Sequence, residues 1–167
     1  MQCLPYTRKG GIVIEKEELL TIIPHRGKML LLDRINVYNI DEKSLEAECD
    51  ITEGCIFYYP PESGVPAWVG FEYIAQAIAA LSGLISRARG EKPKMGYILS
   101  VTSMQIGLSF FNKGNTVQIK VKETGRVDLV STFEGEIFLK GDKVLMGNIT
   151  VMELTQEKTL IKENGVG

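Results

Sequence analysis

Residues 68–83 read WVGFEYIAQAIAALSG, and the reading of this stretch decides the fold. Ile74, Ile78, Leu81 and Ile85 recur at helical spacing and Phe71 extends the same face, which predicts a helix over residues 69–87. Ala75, Ala77, Ala79 and Ala80 favour it by propensity. Gly83 costs some helix stability but lets a neighbouring element come close. The segment is apolar around most of its circumference, the pattern of a buried helix rather than a surface one. Gly90 is placed to end it.

Outward from the helix, the period changes from 3.6 to 2. Ahead of it, residues 35–40 and 44–51 read as strands joined by the turn IDEK. Behind it, Val117, Ile119 and Val121 alternate with Gln118, Lys120 and Lys122. Residues 129–140 form another strand, interrupted by Gly135, and residues 144–154 one more, with GDK as the hairpin turn. Residues 97–110 supply a fourth, bent at Gly107. Residues 15–20 suit a short helical turn, and Pro24 and Gly27 a turn leading into a helical piece from Met29. The order is strand, strand, long helix, four strands. An antiparallel sheet curled around one central helix satisfies it, an α+β layering. The free sheet edges call for protection, which a dimer joining two sheets provides. With no repeat and no linker, residues 1–167 read as one domain, with 1–19 and 155–167 peripheral.

Composition narrows the function. The chain has 167 residues, 44% of them hydrophobic, enough for an ordinary core. Its net charge of -2 carries no basic bias, so no nucleic-acid partner is expected. Three cysteines, Cys3, Cys49 and Cys55, share no metal-like spacing and suit a reducing, cytoplasmic setting as structural thiols. The opening MQCLPYTRKGG has no signal-like apolar core, and no apolar run reaches the length of a membrane crossing. No HExxH, CxxC, GxSxG or phosphate-cradling glycine motif is present, so neither a metal nor another cofactor is implied.

Glu72 is the leading candidate for chemistry. A carboxyl at the start of so apolar a helix suits a general acid, but acidic residues also favour any first turn through the helix dipole. Gln76, one turn on, shares its face and is placed to donate to Glu72 or to a ligand carbonyl. His25 is the only histidine; it is either a proton carrier or a loop residue anchoring Asp33 or a backbone carbonyl. Arg26 is a candidate ion-pair partner for Asp33, while Arg26 and Arg34 also suit solvent or acidic groups of a partner. The helix start after Pro66 offers backbone N–H groups to an oxyanion.

Two motifs carry a resemblance. PHRGKMLLLDR, residues 24–34, resembles the PHRxPxLLVDR element of the 3-hydroxyacyl-[acyl-carrier-protein] dehydratases. GVPAWVGFEYIAQ, residues 64–76, resembles their MPGVLxxEAxAQ helix start. WVGFEYIAQAIAALSG is similar to the WVGxEYxAQAxAAxxG pattern of the divergent dehydratase-like subgroup found with aryl-polyene biosynthesis genes. The resemblance spans residues 20–154 and implies the hot-dog fold, paired as a dimer or trimer of dimers. It implies that a 3-hydroxyacyl thioester on the phosphopantetheine arm of an acyl carrier protein loses water to give the 2,3-enoyl thioester. In such enzymes a histidine and an acid from opposite subunits form the active pair beside an acyl tunnel, and a backbone N–H at the helix start polarises the thioester.

Carried over by residue, the acid falls on Glu72, the glutamine on Gln76, and the usual glycine of the helix start on Ala67. Trp68 and Phe71, with Met29, are candidates to shape the tunnel or simply to pack the core. The histidine of the family's GHFP element falls on Tyr58. A phenol is a poor base near neutrality, so three accounts follow. His25 replaces the base; Glu72 acts alone with Tyr58 orienting the substrate; or the chain is a non-catalytic acyl-binding or structural subunit, beside a hot-dog heteropartner. Thioester hydrolysis, with Glu72 activating water, is the other enzymatic reading.

Overall fold

The computed structural model describes residues 7–8 and 13–154. Cys3 and the tail beyond residue 154, expected to be peripheral, lie outside the described residues. In chain order the elements are β1 (Thr7–Arg8), β2 (Ile14–Glu15), α1 (Lys16–Leu19), β3 (Arg34–Asn39), β4 (Ser44–Asp50), β5 (Gly64–Pro66), α2 (Gly70–Ala88), β6 (Gly96–Ile106), β7 (Phe110–Asn112), β8 (Thr116–Val127), β9 (Val130–Leu139) and β10 (Asp142–Glu153). Short 3-10 turns at Gly27–Met29, Pro60–Glu62 and Ala67–Val69 connect them. The large sheet runs β1-β3-β4-β8-β9-β10-β6, with β2 also on β3. Every pairing in it is antiparallel. β5 and β7 form a separate two-stranded ribbon.

The sheet wraps α2, as its all-round apolar sequence predicts. Ile74, Ala77 and Leu81 are fully buried against Ile119, Ile137 and other inward strand residues. Gly135 does not interrupt β9. It lies inside the strand because Ile74 occupies the space its Cβ would need. The close approach expected at Gly83 is made by the Ile22 carbonyl, whose chain then turns into Pro24 and His25. α2 ends with Gly90 at φ 69, its N–H bonded to the Arg87 carbonyl and the Glu91 N–H to the Ser86 carbonyl. That double bond pattern is a glycine-terminated helix cap.

The hairpin between β9 and β10 turns on Lys140 and Gly141, both at positive φ, one residue earlier than GDK suggested. Residues 97–110 are not one strand. β6 ends at Ile106, Gly107 donates to the Val144 carbonyl, and β7 leaves to pair with β5. Residues 14–19 are not peripheral either, since β2 pairs with β3 and Ile14 and Leu19 are buried. The expectation that no segment is long enough to cross a membrane is also corrected. Ala67–Ala88 is long and apolar enough by composition, but most of it is buried inside the protein.

The ion pairs differ from the expected ones. Asp33 takes Lys16 at 2.7 Å and the Asp50 N–H at 2.8 Å, while Arg26 donates to the Ile23 and His25 carbonyls. Arg34 is held by Glu48 and Asp50 of its own chain. Asp33 meets Lys16, the first residue of α1, because the pairing of Glu15 with Arg34 sets the two next residues side by side.

Candidate active site

α2 and the turn that packs on Gly83 bring Glu72 and His25 together. His25 Nε2 stands 3.6 Å from Glu72 Oε1, just beyond hydrogen-bond distance. Such pairs are commonly long before substrate arrives. Both side chains are under one-third exposed, at 28% and 29%. His25 Nδ1 is buried without a hydrogen-bond partner among the described residues. What exposure the ring has therefore lies on its other atoms, Nε2 among the candidates, and Nε2 is the nitrogen near Glu72.

Gln76 fixes the carboxylate. Its amide group donates to Glu72 Oε1 at 2.9 Å and to the Met29 carbonyl at 2.8 Å, and its oxygen accepts the Leu31 N–H at 2.9 Å. The side chain is fully buried and both its N–H bonds are used inside the chain. Gln76 is thus a brace that ties residues 29–31 to α2 and holds one oxygen of Glu72, rather than a donor to a ligand.

His25 and Glu72 lie at one end of a cavity of about 260 Å³ between α2 and the start of β6. Ala75, Ala79 and Ser82 form its helix side, and Tyr97 and Ile98 come from β6. Ala75, Ala79 and Ser82 stand three, seven and ten residues after Glu72, the spacing of one helix face, so this part of the lining was legible as a pattern. Lys94, Glu123, Arg126 and Glu153 also line the cavity and had no local signal, because they come from three separate segments.

The other site candidates stand elsewhere. Tyr58, Trp68, Phe71 and Ala67 do not line this cavity. Trp68 is 61% exposed and packs edge-on to Phe57, so it is neither core nor tunnel wall within its own chain. Ala67 is buried, and its N–H donates to the Ser109 carbonyl at 2.9 Å, so that N–H is not free for an oxyanion. The cause is the β5–β7 ribbon, which carries Ser109 up to the helix start.

A second cavity, of about 420 Å³, lies on the other side of α2 and contains Tyr73, Cys49, Cys55 and Phe57. Burial pushes the Cys49 thiol up to about 12, with the nearby Asp33 charge adding to it. Burial, then the adjacent Cys49, drives the Tyr73 phenol up as well. Both groups stay neutral, as inert buried residues do.

Comparison with known proteins agrees with this architecture. The chain is 33% identical over 80 residues to the 3-hydroxyacyl-[acyl-carrier-protein] dehydratase FabZ of Chlamydia abortus, a stretch covering 46% of this chain and 52% of that enzyme. The chain thus spans about half the length of that relative. It is 26% identical over 141 residues to FabZ of Bradyrhizobium sp. strain ORS 278, covering 83% of this chain and 91% of that enzyme. Among solved structures, the dehydratase heterocomplex ApeI:P from Xenorhabdus doucetiae matches with a TM-score of 0.76 at 21% identity, covering 87% of this chain and 97% of that one. The PaaI protein of E. coli, from the phenylacetic acid degradation operon, matches with a TM-score of 0.56 at 12% identity, over 74% and 80% of the two chains. These structural likenesses establish the hot-dog fold. With a family model described as ApeP dehydratase matching residues 17–162, the chain belongs to the ApeP-like dehydratase family.

Proposed function

We propose that this chain dehydrates a 3-hydroxyacyl thioester, carried on the phosphopantetheine arm of an acyl carrier protein, to the 2,3-enoyl thioester. The observation that carries the reading is the 3.6 Å approach of His25 Nε2 to Glu72 Oε1 at one end of an apolar-walled cavity. His25 takes the C2 proton, Glu72 gives a proton to the departing 3-hydroxyl, and water leaves. Transfer from the imidazolium back to the adjacent carboxylate restores both groups. The base that Tyr58 cannot supply is thereby provided from the turn ahead of β3, in the same chain as the acid. Gln76 keeps one carboxylate oxygen fixed while the other, Oε2, is free of hydrogen bonds among the described residues.

An oligomer belongs to this reading. β6 is a sheet edge among the described residues, and it exposes Tyr97, Leu99 and Val101. Pairing it with a second hot-dog subunit, either another copy or a related chain, covers that edge. Tyr58 and Trp68, which line neither of the two cavities described above, are side chains placed to serve a neighbouring site.

The test offers the purified protein a 3-hydroxyacyl and a saturated acyl thioester on carrier protein. Enoyl product is expected. Free acid from the saturated substrate would replace this reading with a thioesterase. Glu72→Gln is expected to lower dehydration by about a hundredfold or more. Unchanged turnover in that variant would overturn the assignment.

A further inference from the structure

The cavity that begins at His25 and Glu72 is apolar along its length and charged at its other end. Glu72 lies in the first turn of α2 and Ile85 in the last, so the cavity runs beside the helix for about 20 Å at 1.5 Å per residue. Beyond the helix C-terminus stand Glu91 and Lys94, and Lys94 reaches Glu91 at 2.9 Å and Glu153 at 3.9 Å. Arg126 bridges Glu123 at 2.9 Å and Glu153 at 3.2 Å, tying β8 to β10 across the end of the β8–β9 hairpin. Lys43 holds Glu123 from the opposite side at 2.6 Å.

Three cations therefore face three carboxylates, and the group as a whole is neutral. It offers no net field to attract an anionic or cationic substrate end. It is also hard to push aside. The Glu123 side chain is only 5% exposed, and stripping Arg126 from it leaves a buried charge short of a partner. Burial pushes the Glu123 carboxyl up, yet the hydrogen bonds from Arg126 and Lys43 more than offset this and hold it below the usual carboxylate range. An apolar chain gains by every methylene it slides along Ala75, Ala79 and Ile85, and gains nothing by entering a set of satisfied ion pairs.

We propose that the Arg126 clasp, with Glu123, Glu153 and Lys94, is the end stop of this cavity and sets the longest acyl chain the protein accepts. The proposal rests on the dehydratase reading for its substrate class, but a direct binding measurement tests it separately. Saturated acyl-pantetheine thioesters, lengthened by two carbons at a time, are titrated against the wild type, Arg126→Met and Glu153→Gln. Methionine keeps the apolar stem of the arginine, and Glu123 retains Lys43, so the first variant keeps its packing. In the wild type, binding should tighten by up to about tenfold per two-carbon step and then stop tightening at one length. Both variants should move that break to longer chains and leave the shorter ones unchanged.

A break at the same length in wild type and both variants overturns the end stop, as does the absence of any break in the wild type. Tighter binding of an acyl chain ending in a hydroxyl than of a methyl-ended chain of equal length overturns it too, since the clasp would then be a polar subsite. Dehydration of the matching 3-hydroxyacyl series is read alongside. A shifted break with no enoyl product at any length would retain the end stop and discard the dehydratase reading.

Discussion

Glu72 and Tyr73 are neighbours in sequence and face two different cavities, one on each side of α2. On the Tyr73 side burial is the main cause that drives up both the phenol and the Cys49 thiol, with Cys49 adding to the first and Asp33 to the second. Lys16, which lines the same cavity, pulls the Cys49 thiol down but does not offset its burial, so the two remain a neutral, packed pair. On the Glu72 side His25 and Glu72 are part-exposed, Gln76 braces the Glu72 carboxylate, and both open to a chain-shaped cavity. Perturbation by burial marks a structural site here. Opposed functional groups with access to an apolar channel mark the site suited to catalysis.

The sharpest way to break this contrast is to remove the proposed base. His25→Asn should lower enoyl formation by about a hundredfold to ten-thousandfold while the melting temperature stays close to wild type. A full-rate His25→Asn enzyme would return the assignment to Tyr58 or to Glu72 alone. Next in size is Gln76→Leu, which strands the Met29 carbonyl and Leu31 N–H and frees the Glu72 carboxylate. Chemical denaturation should show a loss of about 2–4 kcal/mol, together with reduced turnover. On the opposite side of the helix, Tyr73→Phe should cost only about 1 kcal/mol and leave turnover unchanged. A large activity loss there would make the second cavity part of the machinery.

The smallest effect expected is at Asp50. The hydrogen-bonded Arg34 guanidinium, helped by Thr116 and against some burial, holds the Asp50 carboxyl below the usual range. A depressed carboxylate contributes stability that is fully present above its unfolded value, about 3.9, and is lost as pH falls through the folded value. The melting temperature of Asp50→Asn should therefore lie slightly below wild type at neutral pH, and the gap should close in acid.

The helix and the main strands were legible because their apolar residues repeat with periods of 3.6 and 2. Boundaries shifted where tertiary contacts overrode local signals, as at Gly135 under Ile74 and at Gly107, where the chain leaves β6 for the ribbon. Ile14 and Leu19 flank the charged run 15–18, and only their contacts across β3 and the core reveal that they are buried. Of the candidate site, Glu72 and Gln76 were visible on one helix face. His25 lies 47 residues before Glu72, and no local pattern joins them; the resemblance carried the acid to Glu72 but the family histidine to Tyr58, with His25 one of three accounts, and the turn seated on Gly83 brings His25 and Glu72 together. The Arg126 clasp was not legible, since Arg126 and Glu153 become neighbours only where β8 and β10 flank β9 at its end.

β6, GYILSVTSMQI, contains no charged residue and no proline, and ten of its eleven residues are exposed in the single chain. It lacks the lysines, prolines and inward charges that keep bare strand edges from sticking to one another. A newly made copy with nothing to pair against is a template for uncontrolled stacking. On the proposed pairing with a related chain, the supply of that chain governs how much of the protein stays usable, and recombinant yield should rise on its co-production; no rise would favour pairing between copies of this chain.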